Sequence, residues 1–172
     1  MASIKNKIIK NFFDKKELLF LQKYCHNKLD LKDAFRMDER IFSPAWYYDP
    51  VMNSFLDLKL SKVEAACKLK LFPTYAYWRY YVLGGSLYKH RDRPSCEISI
   101  LYAGCVQEHW RPGIYKGEGM AQVFFHYVDK NGPFTHHAYD KFYRNTELIE
   151  SEKDKRIIDE QISCNKKVDK RI

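Results

Sequence analysis

At residues 74–83 the chain reads TYAYWRYYVL, a run of aromatic and β-branched side chains. Such side chains suit the pleated surface of a β-sheet. Gly84 and Gly85 turn the chain after this run, and residues 86–90 form the next predicted strand. Three further strands are predicted, at residues 96–102, 105–110 and 120–128. The chain is therefore expected to have a β core over residues 73–129.

Helices are predicted before and after this β core along the sequence. Asp14 and Glu17 have the spacing of a capping box, and an apolar face follows to about residue 27. Asp49-Pro50 begins a second helix that runs to about residue 69. The predicted strand at Ile4 to Phe13 comes before both. The sequence therefore predicts one domain over residues 1–145, in which residues 14–70 are helical. A charged C-terminal helix or tail follows over residues 146–172. That last segment is expected to be exposed to solvent, and its run of charges is not taken as evidence of function.

A motif with metal-binding chemistry follows the second predicted strand. His90 and Asp92 form a His-x-Asp pair, and sixteen residues separate Asp92 from His109. Two imidazoles and one carboxylate make the facial set that binds non-haem Fe(II) and leaves coordination positions open. An oxygen-activating enzyme uses such open positions for an oxo-acid cosubstrate and for dioxygen. The alternative is a solvated loop in which Arg91 lies between the two residues and Arg93 follows them.

Longer stretches around this motif resemble the Fe(II)/2-oxoglutarate-dependent oxygenases, in the branch similar to prolyl 4-hydroxylases. The matching text is PTYAYWRY at 73–80, GGSLYKHRDRPSCEIS at 84–99, LYAGC at 101–105, EHWR at 108–111 and QVFFHYV at 122–128. The likeness extends over roughly residues 8–135. A lone His-x-Asp is common by chance, but the extended strings are specific.

The resemblance implies an α+β fold whose core is a double-stranded β-helix, a jelly-roll of two facing sheets buttressed by N-terminal helices. It implies that His90, Asp92 and His109 are the catalytic metal ligands. The cofactors would be Fe(II) and 2-oxoglutarate as cosubstrate, with ascorbate as a further candidate. The reaction would hydroxylate a C–H bond of a peptidyl or small-molecule substrate.

Two departures from the family concern the same site. The family places several strands between the His-x-Asp pair and the distal histidine, so the short segment here predicts an incomplete core from which a β-hairpin has been deleted. The family also has a Lys or Arg about ten residues after the distal histidine to bind the cosubstrate, and this chain has Gly119 there. Candidate replacements are Arg111, Lys116 and Arg79, because a cationic side chain can pair with the cosubstrate's carboxylate. Tyr80 or Tyr88 could add a hydrogen bond.

A tight turn at Ala103-Gly104 would let the short segment close the site. This turn pairs Tyr102 with Cys105 and Ile98 with His109, and it returns His109 to the neighbourhood of Pro94. Three other histidines are given structural roles: His126 is a core or sheet residue, and His136 and His137 are surface residues. Cys96 and Cys105 are expected to be packing residues.

Composition limits the partners and the compartment. The chain has 172 residues, a net charge of +8 and five cysteines without a CxxC spacing. Reduced thiols, no secretory signal and no apolar run of membrane-spanning length predict a cytoplasmic protein. Lysines scattered along the chain argue against a nucleic-acid partner, although a basic aromatic nucleic-acid binder stays a third hypothesis. The second hypothesis is a shortened relative that has lost catalysis and acts as a binding module or is non-functional. The oligomeric state is left open.

Overall fold

The computed structural model describes residues 8–31, 36–38, 43–99, 105–140 and 151–169, with the backbone alone at 36–38 and 164–169. Over these ranges the chain is α+β, with three α-helices and antiparallel sheets of five and two strands. The α+β class predicted from the sequence is therefore confirmed. The described strands do not close into a barrel.

The elements follow one another in a simple order. The helices are α1 Lys15–Asp30, α2 Pro50–Cys67 and α3 Glu152–Asp169. The strands are β1 Arg36–Asp38, β2 Ser43–Tyr47, β3 Leu71–Tyr81, β4 Leu87–His90, β5 Ile98–Ser99, β6 His109–Arg111 and β7 Met120–Asp129. Within these ranges, no helix combines the length and the apolar character that crossing a membrane requires.

Both early helices begin at the predicted acidic caps. The Asp14 carboxylate accepts a hydrogen bond from the Glu17 N–H, and the Glu17 carboxylate accepts one from the Asp14 N–H, each at 2.8 Å. Asp49 accepts from the N–H groups of Val51 and Met52 at 3.0 and 3.1 Å. These bonds satisfy N–H groups that have no partner inside a helix, and each cap contributes about 1 kcal/mol.

The five-stranded sheet has the order β1-β2-β3-β7-β5, and all its neighbours are antiparallel. Residues that pair across strands share a face of the sheet. Trp78 pairs with Trp46 and Val123, whereas the next residue, Arg79, pairs with Gln122 on the opposite face. The sheet therefore has an aromatic, apolar face at Trp78 and a second face that carries polar side chains.

Helices α1 and α2 cover the apolar face of this sheet. Leu21, Met52 and Leu56 from the helices pack in one core cluster with Trp46 and Trp78. The two indole rings stack at a centroid distance of 3.9 Å. This arrangement buries the apolar face and leaves the polar face directed away from the helices.

The two-stranded sheet overturns the predicted hairpin register. His109 pairs with His90, as β6 pairs with β4, whereas Ile98 pairs with Tyr127 in the large sheet. Ile98 is buried in the core beneath the helices, and β5 accordingly pairs with β7 of the large sheet and not with β6. Ala103 and Gly104, the predicted turn, lie outside the described residues.

Two other predictions also need correction. The described part of the predicted first strand, residues 8–13, is not a strand; Phe12 and Phe13 instead pack their rings near Phe125. The C-terminal segment is helical as predicted but not fully solvated. Ile158 of α3 packs with Cys105 and other residues of a second core cluster. One side of α3 is therefore part of the packed structure.

We predict that replacing Glu97 by Gln removes a pH-dependent loss of stability. Burial, with the nearby Asp129 carboxylate, raises the pKa of Glu97 from 4.5 to about 7, although its Oε2 accepts the Asp129 N–H at 2.9 Å. Because the folded state favours the protonated acid, the stabilisation is present below pH 4.5 and is lost as the pH rises through about 7. The wild type should lose roughly 2 kcal/mol relative to Glu97→Gln between pH 5 and pH 8 in urea unfolding.

The exposed residue Glu118 supplies the matched control, because Glu118→Gln removes the same charge from the surface. Its free energy of unfolding should follow that of the wild type across the pH range. Parallel pH curves for the wild type and Glu97→Gln would contradict the prediction.

Candidate metal centre

Backbone pairing brings the three predicted ligands together. His90 is the last residue of β4 and His109 is the first residue of β6, and the two pair directly across the small sheet. Their ring centroids lie 4.2 Å apart. Asp92 follows His90 by two residues, in the extended segment that leaves β4. The cluster therefore depends on strand pairing and not on a flexible loop alone.

The distances within the cluster suit an ion better than direct hydrogen bonds. His90 Nε2 and His109 Nε2 each lie 3.6 Å from the same atom, Asp92 Oδ1. One ligand atom from each residue lies within 4.8 Å of the others. A separation of 3.6 Å is too long for a good hydrogen bond. Ligands bound at about 2.1 Å from one ion would lie about 3.0–3.4 Å apart, so a small adjustment would seat a metal ion.

Backbone carbonyls fix the tautomer of both imidazoles. His90 Nδ1 lies 2.7 Å from the Tyr88 carbonyl oxygen, and His109 Nδ1 lies 3.1 Å from the Gln107 carbonyl oxygen. A carbonyl oxygen can only accept, so each Nδ1 is the N–H that donates. The Nε2 lone pairs are then left to bind a cation at Asp92. Metal-binding histidines are oriented by this kind of second hydrogen bond.

Asp92 is an ionised, incompletely satisfied carboxylate. Burial opposes its ionisation, but the neighbouring imidazoles of His109 and His90 outweigh burial and hold the pKa of Asp92 well below its usual range. Its second oxygen, Oδ2, is buried and has no hydrogen-bond partner among the described residues. The neighbouring Asp92 carboxylate raises the pKa of His90. The cluster thus favours a cation between its members, whether a proton or a metal ion.

Two arginines extend the site toward the polar face of the large sheet. Arg111 lies two residues beyond His109, and its Nη2 donates to Gln122 Oε1 at 3.1 Å. Its guanidinium carbon lies 4.2 Å from the centre of the Tyr81 ring, and that of Arg79 lies 5.9 Å from the same ring. Both cations therefore lie near one buried aromatic ring.

The structure separates the other proposed cosubstrate residues from this group. Lys116 is exposed in the segment before β7. Tyr80 packs on the helix-covered face of the sheet, and a side chain at position 119 would collide with its ring. This collision explains why position 119 is glycine. Of the five predicted cosubstrate residues, the structure groups Arg111 and Arg79 with the His/Asp cluster and does not bring Lys116 or Tyr80 there. The fifth, Tyr88 on β4, is exposed.

His126 shares the site's face of the large sheet, which the sequence reasoning missed. The prediction of a buried sheet histidine is confirmed: its side chain is 3% exposed and its Nδ1 lies 2.8 Å from Ser99 Oγ. His126 lies four residues after Gln122 on β7, so period-two alternation puts both on one face. Applying that alternation to β7 could have placed it in the site.

A second group of potential ligands joins α3 to the body of the chain. His136 Nε2 and His137 Nε2 lie 3.0 and 3.3 Å from the two oxygens of Asp154, which also accepts from the N–H and hydroxyl of Ser151. These are hydrogen-bond distances, so hydrogen bonding alone accounts for the group. His137 is buried, which corrects the prediction that it lies at the surface, because it donates to a buried carboxylate.

A cleft of about 330 Å³ reaches the cluster from the side of α3. It is lined by Arg91, Asp92, Cys105, Lys155, Ile158, Asp159 and Ile162. Asp92 is therefore the point at which this cleft and the His/Asp cluster meet. The volume lies at the lower end of the range for small-molecule sites.

No family model, curated protein or solved structure matches this chain. The residues that bear most directly on its function are therefore His90, Asp92 and His109, through their geometry and through the sequence strings around them.

We predict that metal binding at this cluster weakens as the pH falls. The raised pKa of His90 means that a proton competes with the metal for its Nε2, and metal binding must displace that proton. Apparent Zn(II) affinity should therefore fall by up to about tenfold per pH unit below the pKa of His90. Calorimetry in two buffers of different ionisation enthalpy measures the released proton directly.

The measurement is best made in a His136→Gln, His137→Gln background, because those histidines form the second group of potential ligands. Zn(II) affinity that does not change between about pH 6 and pH 8, with no proton released, would contradict this account of the cluster.

Proposed function

We propose that this chain is an Fe(II)- and 2-oxoglutarate-dependent dioxygenase that hydroxylates a C–H bond of a peptidyl or small-molecule substrate. One observation carries the proposal. His90 and His109 direct their Nε2 atoms at one oxygen of Asp92, while the other Asp92 oxygen is buried without a partner among the described residues. Two imidazoles and a carboxylate in this arrangement leave one side of an ion open.

We also infer that the two sheets are the remainder of a double-stranded β-helix. Strands β4 and β6 pair as a small sheet that carries both histidine ligands. The hydrogen bond from Arg111 to Gln122 joins this sheet to the polar face of the large sheet. Helices cover the other face of the large sheet. This arrangement is consistent with a jelly-roll that keeps its metal-binding strands despite the short segment between Asp92 and His109.

The residues fit Fe(II) by their chemistry as well as their spacing. Imidazole and carboxylate ligands suit divalent first-row metals, and the two backbone hydrogen bonds keep both imidazoles in the ligating tautomer. When bound, Fe(II) would let 2-oxoglutarate react with dioxygen, so that one oxygen atom enters succinate as CO2 is lost and the other hydroxylates the substrate. The protein's part is to hold these ligands on one side, orient the cosubstrate and limit the entry of water.

Arg111 is the best-placed residue to bind the cosubstrate's far carboxylate. Its side chain is on the same strand as His109, its Nε is buried without a hydrogen-bond partner among the described residues, and Tyr81 supports its guanidinium. A guanidinium can donate two parallel hydrogen bonds to a carboxylate. Arg79, which is buried on β3, adds a second positive charge near the Tyr81 ring.

The cleft beside α3 supports a small substrate or a single side chain of a peptide. Its volume of about 330 Å³ accommodates a group of that size, and Asp92 lies in its lining. Arg91 and Lys155 line it together with Asp159, so its charges are mixed. These features fit a polar substrate and do not distinguish a peptide from a metabolite.

We predict that His90→Ala and Asp92→Ala abolish both Fe(II) binding and 2-oxoglutarate decarboxylation. Each substitution removes one of three ligands, and two ligands cannot hold the ion in the required geometry. Binding is followed anaerobically by the visible charge-transfer absorption of the Fe(II)–2-oxoglutarate complex, and turnover by succinate release. Far-UV circular dichroism checks that both variants remain folded.

His26, an exposed histidine of α1, provides the matched control. His26→Ala should bind Fe(II) and turn over 2-oxoglutarate like the wild type. Unchanged turnover in His90→Ala and Asp92→Ala would reject the dioxygenase assignment. A folded wild type without Fe(II) binding would favour the alternative, a shortened relative that acts as a binding module.

We further predict that Arg111→Gln weakens 2-oxoglutarate binding by about 10- to 100-fold, as expected when a hydrogen bond to a charged group is lost. Fe(II) affinity in the absence of 2-oxoglutarate should change little, because Arg111 is not a ligand. Lys116→Gln, which removes the same charge from an exposed position, should leave both affinities unchanged. Equal 2-oxoglutarate affinities in the two variants would assign the carboxylate to another residue.

A further inference from the structure

His126 is a buried polar side chain that the proposed chemistry does not yet use. Its ring centroid lies 4.7 Å from that of Tyr75, and its ring plane is nearly parallel to that of Phe124. Ser99 Oγ, on the paired residue of β5, lies 2.8 Å from its Nδ1. The ring therefore packs near two aromatic rings and has a hydrogen-bond partner at Nδ1.

Burial in this setting has an energetic cost that packing does not explain. An apolar ring would fill the space between Tyr75 and Phe124, whereas a buried imidazole needs hydrogen bonds for both of its nitrogens. Ser99 satisfies Nδ1. Burial lowers the pKa of His126 to about 4, so that the ring is neutral near pH 7 and has one N–H and one acceptor nitrogen. Nε2 is then left for a partner in the site.

Asp92 offers that partner. Its Oδ2 is buried and has no hydrogen-bond partner among the described residues, although Oδ1 lies between the two ligand histidines. His126 is close enough to Asp92 and His109 to interact electrostatically with both. A carboxylate that binds an ion through one oxygen is commonly held by a hydrogen bond to the other.

We propose that His126 is a positioning residue for the metal centre, which holds Asp92 by donating from Nε2 to Oδ2 across one bridging water molecule. In this proposal the Ser99 hydroxyl donates to Nδ1 at 2.8 Å, and the ring hydrogen is on Nε2. The chain of contacts is Ser99, His126, Asp92 and then the ion. This inference rests on the proposed metal centre and adds the residues that orient its carboxylate.

The test measures Co(II) binding by the intact protein, because Co(II) reports ligand geometry through its visible absorption. His126→Phe keeps the ring and its packing but removes both nitrogens, and Ser99→Ala removes the tether alone. His126→Phe should bind Co(II) about 10- to 100-fold more weakly and shift the absorption bands, as loss of such a hydrogen bond does elsewhere. Ser99→Ala should weaken binding in the same direction by a smaller factor.

Two further variants make the result decisive. His126→Gln, which can still donate from its amide, should recover part of the affinity lost in His126→Phe. A purely structural role predicts instead that His126→Phe binds Co(II) with the wild-type affinity and spectrum, and that result would overturn the inference. His90→Ala is measured alongside: if it loses Co(II) while His126→Phe does not, only the inference fails. If His90→Ala also binds like the wild type, the metal centre itself is rejected.

Discussion

The antiparallel pairing of β4 with β6 is the constraint on which the site depends. It sets His90 opposite His109, and the residues that flank this pair complete the cluster. Asp92 follows one histidine by two residues, and Arg111 follows the other by two. A shift of this register by one residue would turn the side chains of one strand to the opposite face. Sixteen residues between Asp92 and His109 are thus enough to bring the ligands together, provided that the two strands pair in this register.

The charges around the cluster are complementary to those of the proposed metal ion and cosubstrate. Asp92 supplies the negative charge between two imidazoles, while Arg79 and Arg111 bring positive charge to the facing side. A divalent cation and a dianionic cosubstrate that bind together would leave the net charge of the site unchanged. The cation would meet the carboxylate and the dianion would meet the arginines. This complementarity supports the proposed pair of ligands more strongly than either charge would alone.

The sequence was informative where structure is set locally. The aromatic and β-branched side chains of residues 74–83 predicted the central strand, and the caps at Asp14 and Asp49 predicted both early helices. The sequence did not predict strand pairing or burial that depends on a residue distant along the chain. Ile98 pairs with Tyr127, 29 residues away, because both are buried beneath the helices, and no local pattern favours this pairing over a hairpin. His137 is buried because Asp154, on a later helix, accepts its hydrogen bond.

Site residues show the same division between local and distant signals. The chemistry of His90, Asp92 and His109, together with the family resemblance of the strings around them, identified these three residues in the linear sequence. The sequence could not separate Tyr80, on the helix-covered face, from Arg79, on the site's face, without the register of the sheet. It also missed that His126 lies on the same face of the large sheet as Gln122, although period-two alternation along β7 gives this placement.

The most direct test of the metal centre is anomalous X-ray diffraction from crystals loaded with Fe(II) and 2-oxoglutarate without oxygen. The account predicts one iron peak at about 2.1 Å from His90 Nε2, His109 Nε2 and a carboxylate oxygen of Asp92. It also predicts that the far carboxylate of 2-oxoglutarate lies against Arg111. An iron peak elsewhere, or none at this cluster in a fully folded crystal, would contradict it.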